Sequence, residues 1–115
     1  MKEHENALPR YKQAVIPEDK FLKYTLDPLK DPNKSIAFEK ALGYNKNNAY
    51  LLIENILNNL PYYNAMPRGD IGYGMRYQVI MNLTGQNGKS AKVLTAWIDD
   101  KNTGEMRLTT AYVDK

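Results

Sequence analysis

The spacing of the apolar residues changes once along the chain, and this change constrains the fold more than any other feature. Before residue 61 the apolar residues recur with the period of an α-helix, and from residue 76 they alternate as in a β-strand. Apolar residues spaced with the helical period do not form one face of a strand, and alternating apolar residues do not form one face of a helix. The sequence therefore predicts an α+β fold, with two to three N-terminal helices packed on a C-terminal antiparallel β-meander of three or more strands.

Three helices are predicted in the first half of the chain. A short one begins at Pro17 and ends before Asp27. The second covers Ser35–Leu42 and is followed by Gly43, which suits a left-handed C-terminal cap. The third carries one apolar stripe and ends at Pro61. The stripe consists of Ala49, Leu52, Ile53, Ile56, Leu57 and Leu60.

Three strands are predicted in the second half, over residues 76–83, 90–98 and 106–113. The turn at Asn87–Gly88 is the strongest local hairpin feature, and strands joined by such short turns are antiparallel. The second strand is apolar on both faces, which predicts a central position in the sheet. Residues 61–74 contain two prolines and three glycines and are predicted to form an irregular loop.

Length and composition indicate one domain. The chain has 115 residues, and residues 1–13 are polar and aperiodic. We assign residues 1–13 to a flexible tail and residues 14–115 to a single domain. The net charge of +3 permits a phosphate-rich partner without requiring one, since lysine and arginine form no cluster. No apolar run reaches the roughly 18 residues of a membrane span, and the N-terminus does not resemble a secretory signal.

Several catalytic classes are excluded by composition. The chain has no cysteine and one histidine, His4, which lies in the predicted tail. Thiolate catalysis, cysteine-ligated metals, multi-histidine metal sites and a serine–histidine triad therefore do not fit. The glycines between Gly69 and Gly74 precede a strand and lack the ending of a phosphate-binding loop. We expect no metal and no cofactor.

The candidate functional residues are basic, hydroxyl and aromatic groups interleaved on the predicted strands, a mixture that can hold phosphates and stack bases. They are Arg76, Tyr77, Thr95, Arg107, Thr110 and Tyr112. Lys34 joins them because a cation near a helix N-terminus is unfavourable unless a local partner compensates. The same residue types are common in any strand, so a purely structural role stays open for each.

The arginines and tyrosines of this set do not share one face of regular strands. Tyr77 directly follows Arg76, and the interval from Arg107 to Tyr112 is odd. Alternation therefore places each arginine on the face opposite its tyrosine. A β-bulge would bring them together, but the sequence pattern does not reveal one.

Pieces of the sequence spread over residues 14–113 resemble a small uncharacterised bacterial domain. The most specific are the turn Thr84–Gly88, the strand around Trp97 and the closing strand Leu108–Tyr112. Members of this family occur as the last domain of polymorphic toxins and of phage-head-like proteins, and also alone. Helices followed by an antiparallel sheet are similar, more distantly, to the barnase/EndoU/colicin/RelE group of ribonuclease toxins.

The resemblance implies the C-terminal effector domain of a bacterial toxin, secreted within a larger protein and acting in the cytoplasm. It implies a metal-independent ribonuclease that cleaves RNA, with transfer RNA among the candidate substrates, through attack of a 2′-hydroxyl. It also implies a cognate immunity protein, which we expect to be acidic. The oligomeric state is left open.

The resemblance also implies roles for the candidate residues. The catalytic ones are Lys34, Arg76, Arg107 and Thr110. The substrate-binding ones are Tyr77, Thr95 and Tyr112. A non-catalytic binding module, such as an immunity or phage accessory protein, and a generic nucleic-acid-binding domain remain alternatives.

Overall fold

The computed structural model describes residues 2–20 and 24–114 and shows an α+β fold, as predicted. The helices are α1 Glu18–Lys20, α2 Pro32–Leu42 and α3 Ala49–Asn59, with short 3-10 turns at Tyr11–Gln13, Lys46–Asn48 and Leu60–Tyr62. The strands are β1 Ala65–Asp70, β2 Gly74–Thr84, β3 Ser90–Asp100 and β4 Met106–Val113. They form one antiparallel sheet in chain order, with β1 and β4 at its edges.

The helices do not stand at the N-terminus, which corrects the predicted arrangement. The two long helices lie in the middle of the chain, between residues 32 and 59, and a largely irregular segment precedes them. The short helix predicted from Pro17 is α-helical over Glu18–Lys20, and the part predicted over residues 21–23 lies outside the described residues.

Helix α2 begins at Pro32, earlier than the predicted Ser35. The residues of its cap and first turn are also common in loops, so the sequence pattern placed the start too late. The Asp31 side chain accepts a hydrogen bond from the Lys34 amide at 3.2 Å, and Pro32 occupies the first helical position. The helix ends as predicted at Gly43, whose φ of 77° provides the left-handed cap. Its buried face includes Phe38 and Leu42.

Strand β1 replaces part of the loop predicted over residues 61–74. Its proline and glycine are typical of loops, but β1 is an edge strand. Proline is tolerated at an edge because its missing N–H faces away from the neighbouring strand. The pairing with β2 shifts between Pro67 and Gly69, so a bulge takes up the irregularity.

The hydrophobic core lies between the long helices and one face of the sheet. The helices contribute Phe38, Leu42, Leu52, Ile56 and Leu60, and the sheet contributes Val79, Met81, Val93, Trp97, Met106, Leu108 and Ala111. Neither of the two long helices packs on the other face of the sheet. None of the described helices is long and apolar enough to cross a membrane.

The N-terminal segment contacts both edges of the sheet. Leu8 is fully buried in the core, and the amide of Ala65 at the start of β1 donates to the carbonyl of Asn6 at 2.8 Å. At the opposite edge, the Val15 amide donates to the carbonyl of Met106 at 2.8 Å, forming a parallel bridge with β4. Part of the segment assigned to a tail thus packs on the domain.

Candidate functional site

A β-bulge in β4 decides which candidate residues share a face. Ala96 of β3 pairs with Thr110, whereas its neighbour Trp97 pairs with Leu108, so Thr109 is the extra residue. The Thr109 hydroxyl donates to the carbonyl of Ala96 at 3.1 Å. Because paired residues point to the same side of a sheet, the bulge turns Thr110 to the side of Arg107. The bulge that the sequence pattern did not reveal is therefore present.

The face opposite the helices, here called the open face, consists of three rows of paired residues across β2, β3 and β4. The rows are Arg76–Ile98–Arg107, Gln78–Ala96–Thr110 and Ile80–Leu94–Tyr112. Four of the seven candidate residues lie in these rows. Tyr112 and Ile80 are 37% and 39% exposed, and Ile98 is buried between the two arginines. The face therefore combines apolar and aromatic surface with cations at one end.

Lys34 reaches the open face from α2, around the β4 edge. Its Nζ atom lies 2.9 Å from Thr110 Oγ1 and 5.9 Å from the centre of the Tyr112 ring. Asp31 Oδ2 is 3.9 Å from the same ammonium, which compensates for a cation in the first helical turn. Three of the predicted residues therefore lie in contact. We call Lys34, Thr110 and Tyr112 the edge cluster. The Lys34 side chain remains 35% exposed.

The chemistry of the edge cluster suits an anion. An ammonium group has three N–H donors, and Thr110 accepts one of them. The threonine hydroxyl keeps its own proton to donate. The Tyr112 ring provides a flat apolar surface next to this charge. A phosphate with an attached base or sugar fits this combination.

The two arginines have partners within the protein. Arg107 Nη2 lies 2.7 Å from Asp100 Oδ2. The hydrogen bond from Arg107 and the one from the Asn102 amide hold the pKa of Asp100 below its usual value. Arg76 donates to the carbonyls of Gly69 and Arg68 at 3.3 and 3.2 Å, and so ties β2 to the bulged part of β1. A guanidinium has five donors, so both arginines retain binding capacity.

Thr95 and Tyr77 lie on the opposite face of the sheet. Thr95 is fully buried, its hydroxyl donates to the Val79 carbonyl at 2.8 Å, and it accepts the indole N–H of Trp97 at 2.8 Å. Thr95 therefore stabilises the core and cannot bind a substrate on the open face. Tyr77 is half-buried and pairs with Trp97 on the core-facing side of the sheet. It lies on the face opposite Arg76 because β2 has no bulge between these two residues.

Sequence reasoning missed the apolar middle of the open face, formed by Leu94, Ala96 and Ile98. These residues made β3 apolar on both faces, which correctly predicted a central strand. The same pattern is the signal that could have predicted apolar side chains on the open face. Among the described residues, no group of three histidine, aspartate or glutamate side chains is placed to hold a metal ion.

The geometry defines a small α+β domain with helices on one face of a four-stranded antiparallel sheet and a cationic cluster at the edge of the other. A family model described as a domain of unknown function, DUF6883, matches residues 7–115, and the chain belongs to this family. No curated protein and no solved structure matches the chain.

Proposed function

We propose that this domain is a metal-independent endoribonuclease that binds single-stranded RNA on the open face, as the C-terminal effector domain of a bacterial toxin. The observation that carries the proposal is the edge cluster. It fixes the ammonium of Lys34 at 2.9 Å from the Thr110 hydroxyl, beside the ring of Tyr112. A positioned cation next to an exposed aromatic ring is the minimum needed to hold an RNA phosphate and its base.

The reaction that suits this cluster is transesterification within RNA. The 2′-oxygen attacks the adjacent phosphorus, the bond from phosphorus to the 5′-oxygen breaks, and the products are a 2′,3′-cyclic phosphate and a 5′-hydroxyl. Lys34 stabilises the negative charge that develops on the phosphorane and donates a proton to the leaving 5′-oxygen. The proton of the 2′-hydroxyl passes to solvent water. Thr110 donates to a non-bridging phosphate oxygen, and Tyr112 stacks on a base.

The remaining open face extends the binding surface. Arg76 and Arg107 are separated by one strand, which places their backbones about 10 Å apart. They add positive charge at the far end of the face, so RNA affinity is expected to fall with increasing salt. The middle row, Gln78–Ala96–Thr110, is partly exposed, and we expect it to contact unpaired bases.

The test is incubation of total RNA, including transfer RNA, with the purified domain in EDTA, followed by a denaturing gel. We expect discrete fragments ending in a 2′,3′-cyclic phosphate, and a loss of about 100-fold or more in rate for Lys34→Ala. Lys12→Ala, an exposed lysine in a 3-10 turn, is the matched control and retains full activity. Intact RNA at enzyme excess, with the protein folded by circular dichroism, would contradict the proposal.

A second function, RNA binding without cleavage, is favoured by one observation. The groups that would promote cleavage are already engaged within the protein. Both arginines of the open face bond to protein acceptors, and the one carboxylate described next to the Lys34 ammonium, that of Asp31, pairs with it. This function predicts salt-dependent RNA affinity that Lys34→Ala weakens, with no fragments on the gel. A toxin gene also resists cloning without a protective neighbour, whereas the gene of a binding module does not.

A further inference from the structure

A second concave surface lies beside the edge cluster, between α2 and the C-terminal end of β4. Two cavities of about 620 and 360 Å³ adjoin there and share Asn33, Ala37 and Val113. We call this continuous surface the helix groove. It follows α2 from Pro32 to Ala41, a length of about 14 Å at the rise of an α-helix.

The floor of the helix groove is aliphatic. Ile36, Ala37 and Ala41 form a stripe of α2 that lies beside the core-facing stripe, and Val113 completes the floor from β4. Ile36 is 46% exposed. Aliphatic surface kept in contact with water within a concave site is typical of a binding surface for apolar side chains.

The rim of the helix groove is positively charged. Lys34 lies at one end, and Lys40 and Lys89 line the other. None of the described residues that line the two cavities is acidic. Because the three lysines surround an aliphatic floor, the groove complements a ligand that carries both negative charge and apolar side chains.

We propose that the helix groove binds an acidic segment of a partner polypeptide, with aliphatic side chains on the floor and carboxylates beside Lys34, Lys40 and Lys89. RNA fits the lysines but not the floor, because bases stack on aromatic planes and the ring of Tyr112 reaches only one end. The groove shares Lys34 and Tyr112 with the edge cluster, so a bound segment covers that cluster. Inhibition of RNA cleavage by the segment rests on the proposed function, whereas the binding itself does not.

The probe is a random library of short peptides displayed on phage and selected on the full chain. We expect the selected peptides to combine aspartate or glutamate with leucine, isoleucine or valine. For synthetic copies, we expect the double variant Lys40→Glu/Lys89→Glu to weaken binding about tenfold or more, which corresponds to about 1.4 kcal/mol. The double variant Lys2→Glu/Lys12→Glu has the same net charge and changes exposed lysines outside the groove, so it binds like the wild type.

A second pair of measurements separates the groove from general electrostatics. Ile36→Asn removes an apolar contact of the floor without changing charge, and we expect it also to weaken binding. Amide and methyl NMR shifts on peptide addition should concentrate at Ile36, Ala37, Ala41 and Val113. The folded state of every variant is checked by circular dichroism.

Several outcomes would overturn the inference. They are selected peptides without acidic residues, equal weakening by both double variants, unchanged binding by Ile36→Asn, and NMR shifts centred elsewhere. Single-stranded RNA that shifts the floor methyls while the peptides do not would assign the groove to RNA instead. Peptide binding without any ribonuclease activity supports the groove and contradicts the proposed function, so the two can fail separately.

Discussion

The hydrogen bonds of Thr95 lead to a prediction that separates core stability from RNA cleavage. Thr95→Val keeps the shape of the side chain but removes the hydroxyl that bridges the Val79 carbonyl and the Trp97 indole N–H, each at 2.8 Å. Both groups are then buried without this partner, and an unsatisfied buried polar group costs about 1–3 kcal/mol. The added methyl recovers up to about 0.8 kcal/mol. For the two groups together, less this recovery, we therefore expect a net loss of about 1–5 kcal/mol in the free energy of unfolding.

Trp97 provides the assay, because it is the one tryptophan of the chain. Urea unfolding followed by its fluorescence should shift to lower denaturant with an unchanged slope. Thr95→Ser keeps the hydroxyl and loses one methyl, so we expect a smaller loss of about 1 kcal/mol. RNA cleavage per folded molecule should not change in either variant.

A double-mutant cycle with Trp97→Phe, followed by circular dichroism, isolates the bond between the two side chains. We expect a coupling of about 1 kcal/mol, because Thr95→Val costs less once the indole N–H is gone. Wild-type stability of Thr95→Val, or a coupling near zero, would refute this reasoning. A specific loss of RNA binding by folded Thr95→Val, with binding kept in Thr95→Ser, would restore Thr95 as a substrate-binding residue.

Three further predictions concern the turns and the edge cluster. In Gly85→Ala the new Cβ would lie 2.1 Å from the Leu42 carbonyl oxygen, so we expect a loss of about 1–3 kcal/mol or more by urea unfolding, and none in the exposed control Gln86→Ala. Arg107 holds the pKa of Asp100 below its usual value, so this carboxylate stabilises the fold above its unfolded pKa of about 3.9 and loses that effect as pH falls through the folded pKa. Asp100→Asn should therefore lower stability at pH 7 more than at pH 3, and an equal loss at both pH values would contradict the ion pair. Tyr112→Phe should retain RNA cleavage and Tyr112→Ala should lose most of it, since stacking needs the ring and not the hydroxyl; loss in both variants would instead indicate proton donation by the phenol.

The elements with local and strong patterns were predicted from the sequence. The apolar stripe of α3, the Gly43 cap of α2 and the turn at Asn87–Gly88 each depend on residues within a few positions of one another. The central position of β3 also followed from its two apolar faces. These features need only backbone preferences and the burial of one face, which a single sequence displays.

Strand β1 and the contacts of the N-terminal segment were not predicted because their local patterns are weak. The proline and glycine of β1 predict a loop, and pairing with β2 overrides that preference through interstrand hydrogen bonds. Similarly, the N-terminal segment has no periodicity, yet it buries Leu8 and pairs through Val15 with β4. Such contacts depend on the shape of the finished domain.

The candidate site shows the same division between sequence and tertiary structure. Composition determined by itself that no cysteine or histidine cluster could carry the chemistry, and alternation correctly separated Arg76 from Tyr77. Only the tertiary structure placed Lys34 against Thr110, 76 residues further along the chain, through a helix that packs beside the β4 edge. The bulge at Thr109 then turned that threonine to the open face. A one-residue change of pairing reverses every side chain beyond it, and it arises from contacts between strands that a local pattern does not display.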